Sequence, residues 1–208
     1  RKMLNTVNNK EALGVIFPNS YDGLVPELVK ERLVASIPFA SRYRLVDFML
    51  SSMAGSDITN IALLVKNNYL SLMDHLGSGR EWDLVRKNGG LNIIPPFAQK
   101  TVNVYHGRVE AMASIIDYIK SQKEKYVIMA DSAILCNIDL NSVLNSHIAS
   151  GKDITMVTKS GVADGNKKLD LAVKLGSNGE IADMVVDYAA NEGYEASMDI
   201  FVLSTKWP

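Results

Sequence analysis

Asp131 is the residue of this sequence best placed for chemistry, because it directly follows an apolar run. Residues 126–130, YVIMA, have the pattern of a buried parallel strand. Open α/β sheets place ligand-binding residues at the carboxyl ends of their strands. A lone carboxylate holds Mg²⁺ weakly unless phosphate oxygens complete the coordination. Aspartates that follow strands are also common in turns and helix caps, so a structural role is an equal alternative.

Four basic residues are candidates for a site that binds an anion. They are Arg42, Arg44, Lys66 and Arg108. Such a site requires the fold to bring several of these cations together. Taken singly, each is more often a solvated surface cation or an ion-pair partner.

The histidines and large aromatic residues favour structural roles. His75, His106 and His147 lack the spacing of a metal site. His147 lies on an apolar helical stripe, which predicts a hydrogen-bonded core residue. Three aromatic residues are candidates for cleft walls, although burial in the core is the simpler expectation. They are Tyr69, Trp82 and Tyr105.

The bulk composition excludes several classes of protein. The 208 residues carry a net charge of −1, which argues against a broadly basic nucleic-acid-binding protein. Cys136 is the single cysteine, so an intramolecular disulfide is excluded and a reducing cytosol is favoured. No apolar run approaches the roughly 20 residues of a membrane span, and the first residues lack the apolar core of a signal peptide. We therefore expect a cytoplasmic protein that binds neither membranes nor nucleic acid.

Apolar runs alternate with helical patterns along most of the chain. Strands are predicted over 13–17, 60–65, 91–94, 126–130, 154–158 and 196–203. Helices are predicted over 26–32, 45–55, 69–76, 109–119 and 140–148. The last of these helices has Asp139 as its predicted N-cap and Gly151 after its C-terminal end. Residues 77–90 are predicted to form a loop. This alternation predicts a mostly parallel mixed sheet between two helical layers, a Rossmann-like three-layer α/β/α fold.

Towards the end of the chain the pattern changes to a hairpin. Residues 171–175 and 181–186 flank a Gly-Ser-Asn-Gly connection at 176–179, which adds an antiparallel element to the sheet. Residues 1–11 are predicted to form a polar N-terminal extension, and residues 12–208 a single domain.

Several segments, in order, resemble the bacterial ADP-glucose pyrophosphorylases, the glucose-1-phosphate adenylyltransferases of glycogen synthesis. IPFASRYRLVDF at 37–48 resembles PFGGKYRLIDF, and residues 71–76 resemble SLNRHL. YHG at 105–107 resembles WYxGTADA, ADS at 130–132 resembles GDH, and ASM at 196–198 resembles ASMGIYVF. The likeness spans about residues 12–205, and within the family HLGSGREWDL at 75–84 resembles the GlgD-type regulatory subunit. The resemblance implies a nucleotidyltransferase domain that is incomplete at its C-terminus, with the family's left-handed β-helix domain absent.

The resemblance also implies a degraded phosphate-binding loop. The family's GGxGxRL glycines fall on Asn19, Ser20 and Asp22, its loop arginine on Leu24, and the lysine of RAKP on Val34. A phosphate-binding loop needs glycines, so that the backbone can approach the phosphate closely, and cations, which neutralise its charge. Each of these five changes removes either a glycine or a cation.

Other family positions are retained or changed in ways that bear on ligands. By resemblance, Asp131 matches the aspartate tied to Mg²⁺ and catalysis, and Gly107 matches the family's glycine. The following Thr-Ala-Asp is replaced from Arg108 onwards, a glycine is replaced by Asp199, and Lys66 stands where the family has glutamine. The family's sugar-phosphate motif EKP has no counterpart near residues 185–188.

The resulting expectation is a regulatory, catalytically weak or inactive subunit that joins a catalytic ADP-glucose pyrophosphorylase subunit in a hetero-oligomer. Its ligands would be ATP, glucose 1-phosphate or a sugar-phosphate effector, and Mg²⁺ would be its cofactor if it is active. Two alternatives remain open. One is an active sugar-phosphate nucleotidyltransferase with an atypical loop, and the other is a scaffold subunit without a ligand.

Overall fold

A computed structural model describes residues 11–18, 20, 22–95, 107–161, 168–189 and 193–205. At its centre lies an eight-stranded mixed sheet with helices on both faces. The strands are β1 (Ala12–Phe17), β4 (Asn60–Leu64), β5 (Gly90–Ile94), β6 (Tyr126–Asp131), β7 (Ile154–Lys159), β8 (Lys168–Leu175), β9 (Ile181–Ala189) and β10 (Glu195–Ser204). A separate small hairpin consists of β2 (Pro38–Phe39) and β3 (Tyr43–Arg44).

One half of the sheet is parallel, in the order β5-β4-β1-β6. Strand β1 lies inside this half, where Val15 pairs with Ala62 on one side and Met129 on the other. All six residues of β1 are buried, as the continuous apolar run predicts for a parallel strand covered on both faces.

The other half of the sheet is antiparallel and is organised by β10. This strand pairs with β6 through its C-terminal half, with β7 along its length and with β8 at its start. The pairing with β7 changes register between Ser197 and Phe201. The predicted hairpin is formed by β8 and β9. The predicted mixed three-layer fold is therefore confirmed.

Helices cover both faces of the sheet and enclose two apolar cores. Side chains alternate along β1, so Ala12 and Ile16 enter one core while Leu13 and Val15 enter the other. The helices are α1 (Leu45–Gly55), α2 (Leu70–Leu76), α3 (Arg108–Ser114), α4 (Ile116–Ser121) and α5 (Leu140–Ser150). The first core also receives buried residues of α1, α2 and α5, and the second core receives those of α3 and α4.

The predicted caps of α5 are present. The Asp139 side chain accepts a hydrogen bond from the backbone N–H of Asn141, and Gly151 ends the helix with φ +62°. These two residues set both ends of the helix, as their types and spacing predict.

Three local predictions were wrong or incomplete. Residues 26–32 form turns and not a helix, because Leu28 is 55% exposed and a segment this short needs a buried face to repay helix nucleation. The helix predicted over 109–119 is interrupted at Ile115. The predicted loop 77–90 contains a 3₁₀ turn at Arg80–Trp82, and the β2–β3 hairpin was not predicted. Within the described ranges, no helix combines the length and apolar character that crossing a bilayer requires.

Candidate functional site

Asp131 lies at the carboxyl end of β6, next to the first loop of the chain, and is 1% exposed. Its Oδ1 accepts a hydrogen bond from the Ala133 backbone N–H at 2.9 Å, and the Ser20 hydroxyl donates to the same carboxylate. Burial raises the pKa of Asp131, and these hydrogen bonds together with the nearby Arg108 oppose the rise. The carboxylate is thus fixed in place by its neighbours within the protein.

Arg108 forms a forked ion pair with Asp199 beside this aspartate. Its Nη1 and Nη2 donate to Asp199 Oδ1 and Oδ2 at 2.9 and 2.8 Å, and Nη2 also lies 3.5 Å from Asp131 Oδ2. The pairing of β10 with β6 explains why the two carboxylates lie close together. Ile200 pairs with Ala130, and because the two strands are antiparallel, Asp199 and Asp131 stand next to this pair on their own strands. Arg108, at the start of α3, therefore bridges two carboxylates on adjacent strands.

The loop after β1 is tied to the segment around Val34 by its own polar groups. Asp22 Oδ1 accepts a hydrogen bond from the Val34 backbone N–H at 2.8 Å, and the Pro18 carbonyl accepts one from Ala35 at 3.2 Å. The Leu24 side chain is 72% exposed, whereas Val34 is buried. Neither Leu24 nor Val34 supplies a cation, and Asn19 lies outside the described residues.

The charge of Lys66 acts on Asp22 in this loop. Burial raises the pKa of Asp22, while the Val34 hydrogen bond and the charge of Lys66 oppose that rise. Burial lowers the pKa of Lys66, and the charges of Asp22 and Glu110 oppose this change. Lys66 thus already lies among protein carboxylates, which would compete with an anionic ligand for its charge.

The remaining predicted ligand-binding residues are Arg42, Arg44 and Gly107, and the two arginines contact groups of the protein itself. Arg44 Nη1 donates to the Ser71 carbonyl and hydroxyl at 2.6 and 2.8 Å, and the Arg42 guanidinium lies 5.4 Å from the Tyr43 ring centroid. Gly107 has an extended backbone, and a Cβ added there would meet no atom of the described residues within 4 Å. Those residues therefore impose no steric requirement for glycine at this position. Among the four predicted cations, Arg108 contacts the candidate catalytic aspartate.

A divalent cation does not fit this donor set. Both oxygens of Asp131 already face donors, namely the Ala133 N–H and the Arg108 guanidinium. Asp199, the carboxylate beside it on β10, is bound in a fork by the same guanidinium. Across the described part of the chain, no group of three histidine, cysteine or acidic side chains is arranged to hold a metal ion.

Two pairs important to this region were not found from the sequence alone. Arg108 and Asp199 are 91 residues apart, and the available signal was that both depart from the pattern of the family the sequence resembles. The Asp47 carboxylate accepts a hydrogen bond from the Arg44 backbone N–H at 2.9 Å and lies 2.7 Å from His75 Nε2. These contacts join α1 to α2 and give the RLVDF segment a structural role.

The prediction that His147 is a hydrogen-bonded core residue is confirmed, and the candidate aromatic residues that the structure describes pack against the core. Tyr69 and Trp82 are partly buried against the first core. His147 is buried and hydrogen-bonded through both ring nitrogens, to Thr155 and Ser204. Tyr105 and His106 lie outside the described residues.

The mixed three-layer fold is that of a nucleotidyltransferase, and the chain belongs to the nucleotidyl transferase family, whose model matches residues 27–185. It is 39% identical over 195 residues to the glycogen biosynthesis protein GlgD of Geobacillus stearothermophilus, covering 92% of this chain and 54% of that protein. The GlgD of Bacillus subtilis is 40% identical over 154 residues, with coverages of 74% and 45%.

Catalytic relatives match more weakly. Glucose-1-phosphate adenylyltransferase of G. stearothermophilus is 25% identical over 209 residues, covering 96% of this chain and 51% of that protein. The chain thus spans about half the length of these curated relatives. A solved Bacillus anthracis structure named as a glucose-1-phosphate thymidylyltransferase has a TM-score of 0.74 at 14% identity, covering 94% of this chain and 72% of that one. This likeness shows the fold alone.

Proposed function

We propose that this protein is a regulatory, catalytically weak or inactive subunit of glucose-1-phosphate adenylyltransferase, acting in the cytoplasm in glycogen biosynthesis. The reaction of that enzyme converts ATP and glucose 1-phosphate to ADP-glucose and pyrophosphate. The observation that carries the proposal is the Arg108 guanidinium bound to Asp131 and Asp199, at the strand end where a nucleotidyltransferase needs an available carboxylate. The similarity to two GlgD proteins supports the biological setting.

The charge balance of the first loop supports low catalytic activity. Nucleotidyl transfer depends on positioning and on neutralising phosphate charge. Asp22 places a carboxylate in this loop, bonded to the Val34 N–H. A like charge 4 Å away costs about 1 kcal/mol in water and about 4 kcal/mol at a near-surface dielectric. ATP would have to overcome this repulsion without a cation at Leu24 or Val34.

The proposed partner is a catalytic subunit of the same family. In a hetero-oligomer, this chain would alter turnover through subunit contacts. A sugar-phosphate effector that it bound would act by coupling between sites, commonly worth 1–3 kcal/mol. The contacts Arg44–Ser71 and Asp47–His75 join α1 to α2, which makes this region a target for variants that test such coupling.

The test is the rate of pyrophosphate release from ATP and glucose 1-phosphate with Mg²⁺. We expect the full-length protein alone to turn over at least about 100-fold more slowly than a catalytic subunit, since removing one charge-stabilising group costs about 10²–10³ in rate. Adding it to the catalytic subunit should change kcat or KM, and an equal amount of heat-denatured protein should change neither. The proposal would be overturned if this protein alone released pyrophosphate at the catalytic subunit's rate. It would also be overturned if the kcat and KM of the catalytic subunit stayed the same when this protein was added.

The alternative of an active enzyme is favoured by one observation, the retention of Asp131 at the end of β6. Under that alternative, Asp131→Asn should abolish turnover by the protein alone. Under our proposal the same variant leaves an already weak activity nearly unchanged. A ligand-free scaffold predicts no heat of binding for ATP, glucose 1-phosphate or a sugar bisphosphate in calorimetry.

A further inference from the structure

We propose that Arg108 is a built-in counter-ion, which occupies the position of a divalent cation between Asp131 and Asp199 and closes this strand end to metal ions. The inference deepens the proposed function and rests on it for its biological meaning. It assigns a specific cause to weak catalysis, namely an internal cation already bound where a metal would have to bind.

The geometry of the guanidinium matches this role. Two parallel N–H groups meet the two Asp199 oxygens at 2.9 and 2.8 Å, the planar fork that arginine forms with a carboxylate. The Nη2 nitrogen also faces Asp131 at 3.5 Å. One cation therefore serves both acidic side chains, as a bridging metal ion would.

Burial makes the internal cation necessary. Asp131 and Asp199 are 1% and 4% exposed, and Arg108 is 26% exposed. Two carboxylates on adjacent strands repel each other strongly when water is excluded. Removing one partner from a buried charge pair leaves a charge uncompensated, so loss of Arg108 should create a demand for another cation.

The backbone conformation at Asp199 also supports the proposal. Asp199 has φ +50°, a left-handed conformation that glycine adopts freely and other residues adopt at a cost. It lies within the register change of β10, and its own N–H donates to the Ser197 hydroxyl at 3.1 Å. An aspartate at a position suited to glycine brings a side chain whose oxygens bind Arg108.

The experiment uses Mn²⁺ as a probe of the intact protein, without nucleotide, sugar phosphate or partner. Thermal midpoints are measured in chelator and in increasing Mn²⁺, and binding is followed by electron paramagnetic resonance. We expect the wild-type midpoint to be insensitive to Mn²⁺. Arg108→Ala should melt lower in chelator and gain about 5–10 °C at about 100 times its Kd for Mn²⁺.

Matched variants separate this effect from general damage. Asp199→Asn combined with Arg108→Ala should lose the Mn²⁺ response, because one of the two carboxylates is gone. Arg86→Ala removes an exposed arginine that pairs with Asp83, and it should create no response to Mn²⁺. Arg108→Gln keeps a hydrogen-bond donor without the charge. It should show the Mn²⁺-dependent gain in thermal midpoint expected of Arg108→Ala, and it replaces Arg108→Ala as the test variant if that protein does not fold.

The outcomes are distinct. Equal Mn²⁺ responses of wild type and Arg108→Ala would overturn the proposal, because the site would be open with the arginine in place. Failure of both Arg108 variants to respond to Mn²⁺ would overturn it as well, whether they are folded or unfolded. None of these measurements involves turnover or a partner subunit. The assignment of Arg108 can therefore fail while the regulatory function stands, and the regulatory function can fail in the pyrophosphate-release test while the assignment of Arg108 stands.

Discussion

At the scale of single residues, His147 shows how a polar side chain is accommodated in the core. Its ring nitrogens lie 2.8 Å from the Thr155 hydroxyl and 3.1 Å from the Ser204 hydroxyl, and the Tyr126 ring packs edge-on at 5.6 Å between centroids. Burial lowers the pKa of His147, and the charge of Asp153 opposes this effect. The helical stripe predicted a core residue, but its partners lie on three strands of the sheet, β6, β7 and β10.

This burial predicts a pH dependence of stability. A histidine whose pKa is lower in the folded state binds protons preferentially when unfolded. Its contribution to stability is therefore complete above about pH 6.5 and declines as pH falls towards the folded pKa, by at most about 1.4 kcal/mol per pH unit. We expect the difference in unfolding free energy between wild type and His147→Gln to shrink between pH 7.5 and 5.5 in urea titrations. A constant difference would contradict the assignment.

At the scale of elements, the start of β5 depends on one glycine. Gly90 has φ +84°, pairs with Asn60 at the beginning of the β4–β5 ladder, and donates its N–H to the Thr59 carbonyl at 2.7 Å. A Cβ at this position would overlap the Leu84 carbonyl oxygen. The strand was predicted from its apolar residues, whereas the need for glycine follows from how closely the preceding loop approaches.

Gly90→Ala should therefore be strongly destabilising. Backbone strain and a clash with a main-chain oxygen together predict a loss of about 2–4 kcal/mol in unfolding free energy. Gly55→Ala is the matched control, because a Cβ at the end of α1 would meet nothing within 4 Å. That change should be neutral or stabilising by up to about 1 kcal/mol. Equal effects in urea denaturation would refute the steric argument.

At the scale of the whole molecule, the sheet has a buried centre and an exposed margin. Strands β1 and β4 carry only buried residues. Strand β9 is last in the strand order and exposes Ile181, Met184 and Val186. Cooperative opening is easiest where few apolar contacts hold an element, so the β8–β9 hairpin should open independently of the parallel half.

Hydrogen exchange measures this difference directly. We expect the amides of Val15 and Ala62 to be protected at least about 100-fold more than that of Met184, because the former exchange through global unfolding and the latter through local opening. Amides on the central strand β10, such as Val202, serve as an internal reference and should behave like those of β1. Uniform protection across all strands would show that the hairpin opens only with the rest of the domain.

The sequence by itself determined where the eight strands of the main sheet lie along the chain, the fold class, the caps of α5 and the family resemblance. These features depend on local periodicity and on residue types at short spacing, which a single chain displays directly. It also identified Asp131, Arg108 and Asp199 as individual positions of interest.

Only the tertiary structure decided that these three side chains meet, because the pairing of β6 with β10 brings together residues far apart in the chain. It likewise decided that Asp22 bonds to Val34 and that Arg44 holds Ser71. Burial and the direction of a side chain arise from packing between distant elements. The sequence could therefore name Arg108 as a candidate cation, whereas its two carboxylate partners were found only in the folded protein.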